Sequence, residues 1–135
     1  MKYMLDTNIC IYAMKNNPQH LVSKMINMDP DDLCISVVTY AELMHGVEKS
    51  KFPEGNKLAV NLFLSPIKIL DFDMKAAEEY GSIKADLQKK GMPIGPFDTL
   101  IAAHAKVNGL TLVTNNTSEF ERVSDLKITD WSAVS

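Results

Sequence analysis

The chain has 135 residues, of which 46% are hydrophobic and 23% are charged, and these proportions are typical of a single globular domain. They exclude a disordered or fibrous chain. Fourteen basic and seventeen acidic side chains give a net charge of −3, so the sequence lacks the broad basic surface of many nucleic-acid-binding proteins. We therefore expect one domain over residues 1–135.

The amino terminus and the two cysteines indicate a cytoplasmic protein. Asp6 follows the first apolar residues too soon for a signal peptide, and no apolar run approaches the ~18 residues of a membrane span. Cys10 and Cys34 lie in apolar surroundings and offer only one possible pair, so we interpret them as reduced core residues.

The first part of the chain alternates short apolar strands with helices. A strand is predicted over residues 3–5, and the polar turn Asp6-Thr7-Asn8 separates it from a buried helix that includes residues 9–14. Helical spacing of apolar residues predicts a second helix over residues 19–28. A second strand follows over residues 33–35, and Ser36 leads into a third helix. The core face of that helix is predicted to consist of Val37, Tyr40, Leu43, Met44 and Val47.

The rest of the chain repeats this alternation. The predicted elements are a turn over residues 52–56, a short helix over 58–63, a strand over 67–70, a helix from Asp73 to Lys89, a small-residue helix from Pro96 to Asn108, a strand over 110–113, a polar turn over 114–117 and an edge strand over 126–128. Such alternation predicts an α/β fold with three layers, in which helices cover both faces of a mostly parallel sheet of four to five short strands. Functional sites in such sheets gather beyond the carboxyl ends of the strands.

Acidic and amide side chains at strand ends and helix heads are the candidate functional residues. Hard cations such as Mg²⁺ or Mn²⁺ bind oxygen ligands, typically a few carboxylates, and leave other positions to water and phosphate. Each residue taken alone also has an ordinary structural interpretation: a helix cap, a solvated helix residue, a first-turn acid or a turn. The candidates are Asp6 with Thr7 and Asn8, Glu42, Asp98, and Asn115 and Asn116 with Glu119.

The histidines give no comparable pattern. His104 lies among alanines and is interpreted as a packing residue, whereas His20 and His45 have no partner at ligand spacing. A zinc site is not predicted, because neither cysteine lies near a histidine at ligand spacing.

Four ordered segments together resemble the motifs of PIN-domain ribonucleases and, more narrowly, of the VapC toxins of bacterial type II toxin–antitoxin pairs. The resemblance extends from residue 3 to about residue 131. The segments are Met4-Leu5-Asp6-Thr7-Asn8; residues 36–43 with Gly46; Ile94-Gly95-Pro96-Phe97-Asp98 with residues 101–105; and Leu112-Val113-Thr114-Asn115-Asn116 with Glu119-Phe120.

The resemblance implies a PIN-like domain with Mg²⁺- or Mn²⁺-dependent endoribonuclease activity. It implies a homodimer that is inhibited by a VapB-type antitoxin. Toxin and antitoxin together would form a larger hetero-oligomer, which would bind operator DNA only through the antitoxin. Asp6, Glu42 and Asp98 would be the acidic metal ligands, supported by Thr7, Asn8 and Thr114. Many PIN domains have a fourth acid where this sequence has Asn116, and Glu119, one helical turn later, is a possible substitute.

The resemblance further implies a structured RNA substrate, most often transfer RNA and in enteric-type toxins the anticodon loop of initiator transfer RNA. The net charge opposes an RNA ligand only mildly, because without the four proposed site acids the balance becomes +1. Two other interpretations are a catalytically idle PIN-like binding module, favoured by Asn116, and a phospho-receiver domain using Asp6, Asp71 and Asp73. Candidate phosphate contacts are Lys49, Lys51, Lys84, Lys89, Lys90 and Arg122.

Overall fold

The sheet explains how distant segments of the chain meet. The computed structural model describes residues 1–133, so the last two residues of the predicted domain lie outside the described part. Its five strands are all parallel and lie in the order β3-β2-β1-β4-β5. Their bounds are β1, Tyr3–Leu5; β2, Leu33–Ser36; β3, Lys68–Leu70; β4, Thr111–Val113; and β5, Ile128–Thr129.

Helices cover both faces of this sheet, which confirms the predicted three-layer α/β/α fold. Along β1, Met4 and Leu5 point to opposite faces and enter two separate core clusters. The helices are α1, Thr7–Met14; α2, Gln19–Ile26; α3, Val37–Glu48; α4, Pro53–Leu64; α5, Met74–Lys89; α6, Pro96–Val107; and α7, Thr117–Phe120. The cluster that contains Leu5 packs beneath α1 to α4, and the cluster that contains Met4 packs beneath α5 and α6.

Two local predictions were wrong. Residues 52–56 do not form a turn, because Pro53 begins α4, where its missing N–H and fixed φ suit the first helical position. The edge strand is Ile128–Thr129 rather than residues 126–128, although Leu126 and Ile128 both pack against the same core cluster. On α3, Leu43 and Val47 are buried and Tyr40 and Met44 pack against the same cluster, in agreement with the predicted core face.

The order of the strands creates a crevice between β1 and β4. From β1 the chain builds the sheet outward through β2 and β3, and it then crosses to the other side of β1 to add β4 and β5. Ligands of open parallel sheets bind at such a reversal, outside the carboxyl ends of the strands. Asp6 follows β1, and Thr114 follows β4, so both lie at this crevice.

Other expectations concern the cysteines and membrane spans. Cys10 and Cys34 are free and buried, as predicted. None of the helices in residues 1–133 combines the length and apolar character that crossing a membrane requires.

Candidate active site

Four carboxylates from four separate segments approach one another at the crevice. Asp6 follows β1, Glu42 lies in α3, Asp98 lies in the first turn of α6, and Glu119 lies in α7. The other three acids lie near enough to Asp98 for the charges of Glu119, Asp6 and Glu42 to raise its pKa. The structure therefore brings together all four acids proposed from the sequence, although residues 6 and 119 are far apart along the chain.

Asp6 forms the buried floor of the site. Its Oδ1 accepts a hydrogen bond of 2.9 Å from Ile9 N and so caps α1, while its own backbone N–H donates to Val113 O on β4 at 3.0 Å. The pKa of Asp6 is raised to about 6, chiefly by burial and to a smaller extent by the charges of Glu42 and Asp130, although hydrogen bonds from Thr114 and Ile9 N–H oppose the increase. The carboxylate is thus held where its negative charge is poorly solvated.

Thr7 links the start of α1 to α3. Its hydroxyl donates to Glu42 Oε1 at 2.6 Å and lies 3.5 Å from the hydroxyl of Thr39. Because Thr7 directly follows Asp6, the same turn orients two of the acids. Thr39 is fully buried and was not among the candidates proposed from the sequence.

Asp98 and Glu119 form the opposite side of the site. Burial raises the pKa of Asp98 to about 7, with further contributions from hydrogen-bonding contact with Glu119 and from the charges of Glu119, Asp6 and Glu42. The Asn116 side-chain amide donates to Glu119 Oε2, and Asn116 N donates to Thr114 Oγ1 at 3.0 Å. Asn116 therefore contacts the site as a donor that orients Glu119.

The charge of this cluster is uncompensated by basic side chains. In the part of the chain that the structure describes, the ion pairs involve Asp32, Asp86 and Glu79 rather than any site acid. Two carboxylates with raised pKa values next to two further acids form a donor set that suits a hard divalent cation. Within residues 1–133, no three acidic, histidine or cysteine side chains are arranged closely enough to hold a metal ion in these conformations.

The remaining sequence candidates lie at the edge of the site or away from it. Asn8 is exposed and lines a cavity beside Glu42. Asp130, missed from the sequence, follows β5 and adds its charge near Asp6. Of the predicted phosphate contacts, Lys90 pairs with Asp86, while Arg122 donates to Pro93 O at 3.1 Å and so joins the segments that carry Glu119 and Asp98.

The receiver-type arrangement is not supported. Asp71 and Asp73 follow the edge strand β3, which β2 separates from β1 and Asp6. Asp73 caps α5 by accepting a hydrogen bond of 3.0 Å from Ala76 N. These acids therefore have structural positions outside the crevice.

His104 is a buried packing residue, as predicted. Its Nδ1 lies 2.7 Å from Ser36 Oγ, and its ring packs edge-on against Phe72. Burial lowers the pKa of His104. Because Ser36 precedes α3 and His104 lies in α6, this contact connects the helices that carry Glu42 and Asp98.

Comparison with known sequences gives one family over almost the whole chain. The model of the PIN domain matches residues 3–126. The tRNA(fMet)-specific endonuclease VapC of Shigella flexneri is 50% identical over 132 residues, which are 98% of this chain and 99% of that protein. A protein of the same name from Salmonella typhimurium is 47% identical over 131 residues, covering 97% and 98% of the two chains.

Solved structures agree with the sequence comparison. DNA-bound VapBC from Salmonella typhimurium contains a chain that is 46% identical and superposes with a TM-score of 0.92, covering 97% of this chain and 98% of that one. VapBC2 from Rickettsia felis, bound to a DNA fragment from its promoter, gives 41% identity and a TM-score of 0.90, covering 97% and 99%.

Proposed function

The chain belongs to the PIN-domain family and, within it, to the VapC ribonucleases, and from this premise we propose that it is a divalent-metal-dependent endoribonuclease that serves as the toxin of a toxin–antitoxin pair. The observation that carries the proposal is the convergence of Asp6, Glu42, Asp98 and Glu119 without a basic partner. Such a cluster is stabilised by a cation and not by the chain itself.

Asp6 and Asp98 are the proposed principal ligands of Mg²⁺ or Mn²⁺, and Glu42 and Glu119 complete the acidic pocket. A divalent ion in such a pocket lowers the pKa of water and offsets negative charge on phosphorus. The raised pKa values of Asp6 and Asp98 support this assignment, because a bound cation would favour the ionised carboxylates. The neutral carbonyl of Asn116 contributes less charge than an acid would.

The protein's own contribution to the reaction is positioning and proton transfer. Thr7 holds Glu42 Oε1, and in the proposal the other carboxylate oxygen accepts a proton from the attacking water. Asn116 holds Glu119 beside Asp98. His104 takes no part, since it is buried against Ser36.

The names of the relatives suggest the substrate and partners. We propose transfer RNA as the substrate, specifically initiator transfer RNA, because two relatives are described as tRNA(fMet)-specific. The proposed position of the cut is the anticodon loop. This substrate places the activity in the cytoplasm. We further propose that the chain forms a homodimer and that a VapB-type antitoxin binds and inhibits it in a larger hetero-oligomer. By analogy with the DNA-bound VapBC structures, this complex would contact operator DNA only through the antitoxin.

The test combines purified protein with mixed transfer RNAs in Mg²⁺ or Mn²⁺. We expect one or a few discrete cuts, which disappear with chelator and in the variants Asp6→Asn and Asp98→Asn. The matched control is Asp73→Asn, because Asp73 also caps a helix but lies outside the crevice. Cleavage that persists in the two site variants or in chelator would refute the mechanism. Absence of both cleavage and saturable Mn²⁺ binding would instead indicate an idle PIN-like module.

A further inference from the structure

A cavity of about 430 Å³ opens beside Glu42, between α1, α3 and the start of α6. We call it the α3 cavity; its lining includes Ile11, Glu42, His45, Gly46, Lys49 and Phe97. Four of these, at positions 42, 45, 46 and 49, form one stripe along α3 because they are spaced by three or four residues. The stripe therefore leads from the acidic cluster to a basic side chain, and the cavity volume is in the usual range for a bound small group, about 300–1,000 Å³.

Gly46 lines the cavity from the interior of α3, where glycine is less stable than alanine. A Cβ placed on Gly46 would meet no other atom within 4 Å, so packing within the chain does not require glycine there. Because Gly46 has no side chain, a group in the cavity can approach the helix backbone closely.

Phe97 and Lys49 give the cavity a specific chemistry. Phe97 is 54% exposed and directly precedes the half-buried site residue Asp98, and Lys49 is exposed at the other end of the stripe. An exposed aromatic ring next to a basic side chain suits an unpaired nucleotide, because bases stack on aromatic faces and ammonium groups bind phosphate.

We propose that the α3 cavity binds one unpaired nucleotide of the RNA substrate next to the scissile phosphate. The base stacks on Phe97, the sugar passes over Gly46, and the adjoining phosphate contacts Lys49. The proposal deepens the proposed function and depends on it. The alternative occupant is a peptide of the antitoxin, which would use an adjoining, more apolar cavity lined by Met14, Val47 and Val60 that also reaches Gly46.

Binding is measured by fluorescence anisotropy with a labelled, unstructured, mixed-sequence oligoribonucleotide in Mg²⁺. The variants are built on Asp98→Asn, so that affinity is determined apart from cleavage. We expect Gly46→Leu and Phe97→Leu each to weaken binding about tenfold. Lys49→Gln should reduce the slope of log affinity against log salt by about 0.7, the value for one phosphate contact on a single strand.

The chain offers matched controls for each variant. Gly81 is also an interior helix glycine with nothing within 4 Å of an added Cβ, Phe52 is an exposed phenylalanine outside the cavity, and Lys57 is an exposed lysine of α4. Gly81→Leu, Phe52→Leu and Lys57→Gln should bind the oligoribonucleotide like the Asp98→Asn parent. Gly46→Ala and Gly81→Ala should both raise the melting temperature, while only Gly46→Ala weakens binding.

The outcomes separate this inference from the proposed function. If Gly46→Leu and Phe97→Leu bind the oligoribonucleotide as tightly as their controls, the nucleotide site is refuted. If the same two variants also lose affinity for an antitoxin peptide, the nucleotide site is still refuted, and the cavity is assigned to the peptide. Failure of the unsubstituted chain to cleave transfer RNA would refute the nuclease proposal alone, because oligoribonucleotide binding is measured without cleavage.

Discussion

At Asp6 one carboxylate has two roles that a substitution can separate. It caps α1 through Ile9 N, and it brings a buried negative charge to the crevice. Asparagine is about as good a helix cap as aspartate. The variant Asp6→Asn therefore keeps the cap and removes only the charge.

The difference in stability between Asp6→Asn and the unsubstituted chain should depend on pH in a defined direction. Since the pKa of Asp6 is raised from 3.8 to about 6, the folded chain holds more protons than the unfolded chain between these values, and stability falls as pH rises through that window. Without metal, we expect Asp6→Asn to be more stable than the unsubstituted chain by about 1–3 kcal/mol above pH ~7, and nearly equal to it near pH ~4. Urea denaturation at both pH values measures the difference, and a less stable variant at the higher pH would contradict the argument.

Asn116 and Glu119 provide a second comparison at single residues. Asn116→Asp should bind Mn²⁺ as well as the unsubstituted chain or more tightly, because it adds a charged ligand next to Glu119. Glu119→Gln should bind Mn²⁺ less tightly, because it removes one of the charges around Asp98. Isothermal titration calorimetry gives both affinities. Unchanged binding and cleavage in Glu119→Gln would show that Glu119 does not replace the missing acid.

The positions of single residues in the fold could be predicted from the sequence where the residue type and its place in the chain agreed. Asp6, at a strand end, and Asp98, at a helix head, could be proposed in this way. Asp130 could not, because its approach to Asp6 depends on the pairing of β4 with β5, which no local signal in the sequence determines. The roles of Asp6 and Asp98 as metal ligands stay predictions.

At the scale of elements, Ser36 holds α3 and α6 in position. Its Oγ accepts from Val38 N at 3.0 Å, which caps α3, and it lies 2.7 Å from the buried His104 Nδ1. Ser36→Ala removes the cap and leaves the ring nitrogen unpaired, so we expect a loss of about 2–4 kcal/mol in the free energy of unfolding. We expect cleavage to fall as well, because α3 carries Glu42 and α6 carries Asp98.

Ser65→Ala is the matched control for this element-scale prediction. The Ser65 hydroxyl donates to Leu62 O at the exposed end of α4, so its removal should change stability by less than about 0.5 kcal/mol. Urea denaturation compares the two variants. A similar small effect of both substitutions would mean that the contact between Ser36 and His104 does not stabilise the fold.

Strands and helices were predictable to the extent that local signals set their ends. Asp73 and Gly91 flank α5 as a helix cap and a residue of positive φ, and both were correctly placed. The start of α4 was missed because Pro53, Gly55 and Asn56 also favour a turn. Burial of Val60 and Leu64 in the core decides in favour of the helix.

For the whole molecule, a bound cation should act as a stabilising ligand. Any ligand that binds only the folded chain raises its stability by mass action, and here it also relieves repulsion among the site acids. We expect millimolar Mn²⁺ to raise the melting temperature more near pH ~8 than near pH ~5, because protons compete for Asp6 and Asp98 at the lower pH. Differential scanning fluorimetry measures this shift.

The site variants serve as controls for the cation effect. Asp6→Asn and Asp98→Asn should lose most of the Mn²⁺-dependent shift, whereas Asp73→Asn should keep it, since Asp73 caps α5 outside the crevice. An equal shift in all four proteins would mean that Mn²⁺ acts elsewhere on the surface.

The central position of β1 has a consequence for how the protein is made. The first strand to leave the ribosome pairs with β4, and Leu5 meets Val113 about a hundred residues later in the chain. At ordinary rates of translation this interval lasts roughly 5 to 20 seconds. The nascent polypeptide therefore carries Asp6 for most of its synthesis without Asp98 and Glu119, so a harmful nuclease would remain inert until it is almost fully synthesised.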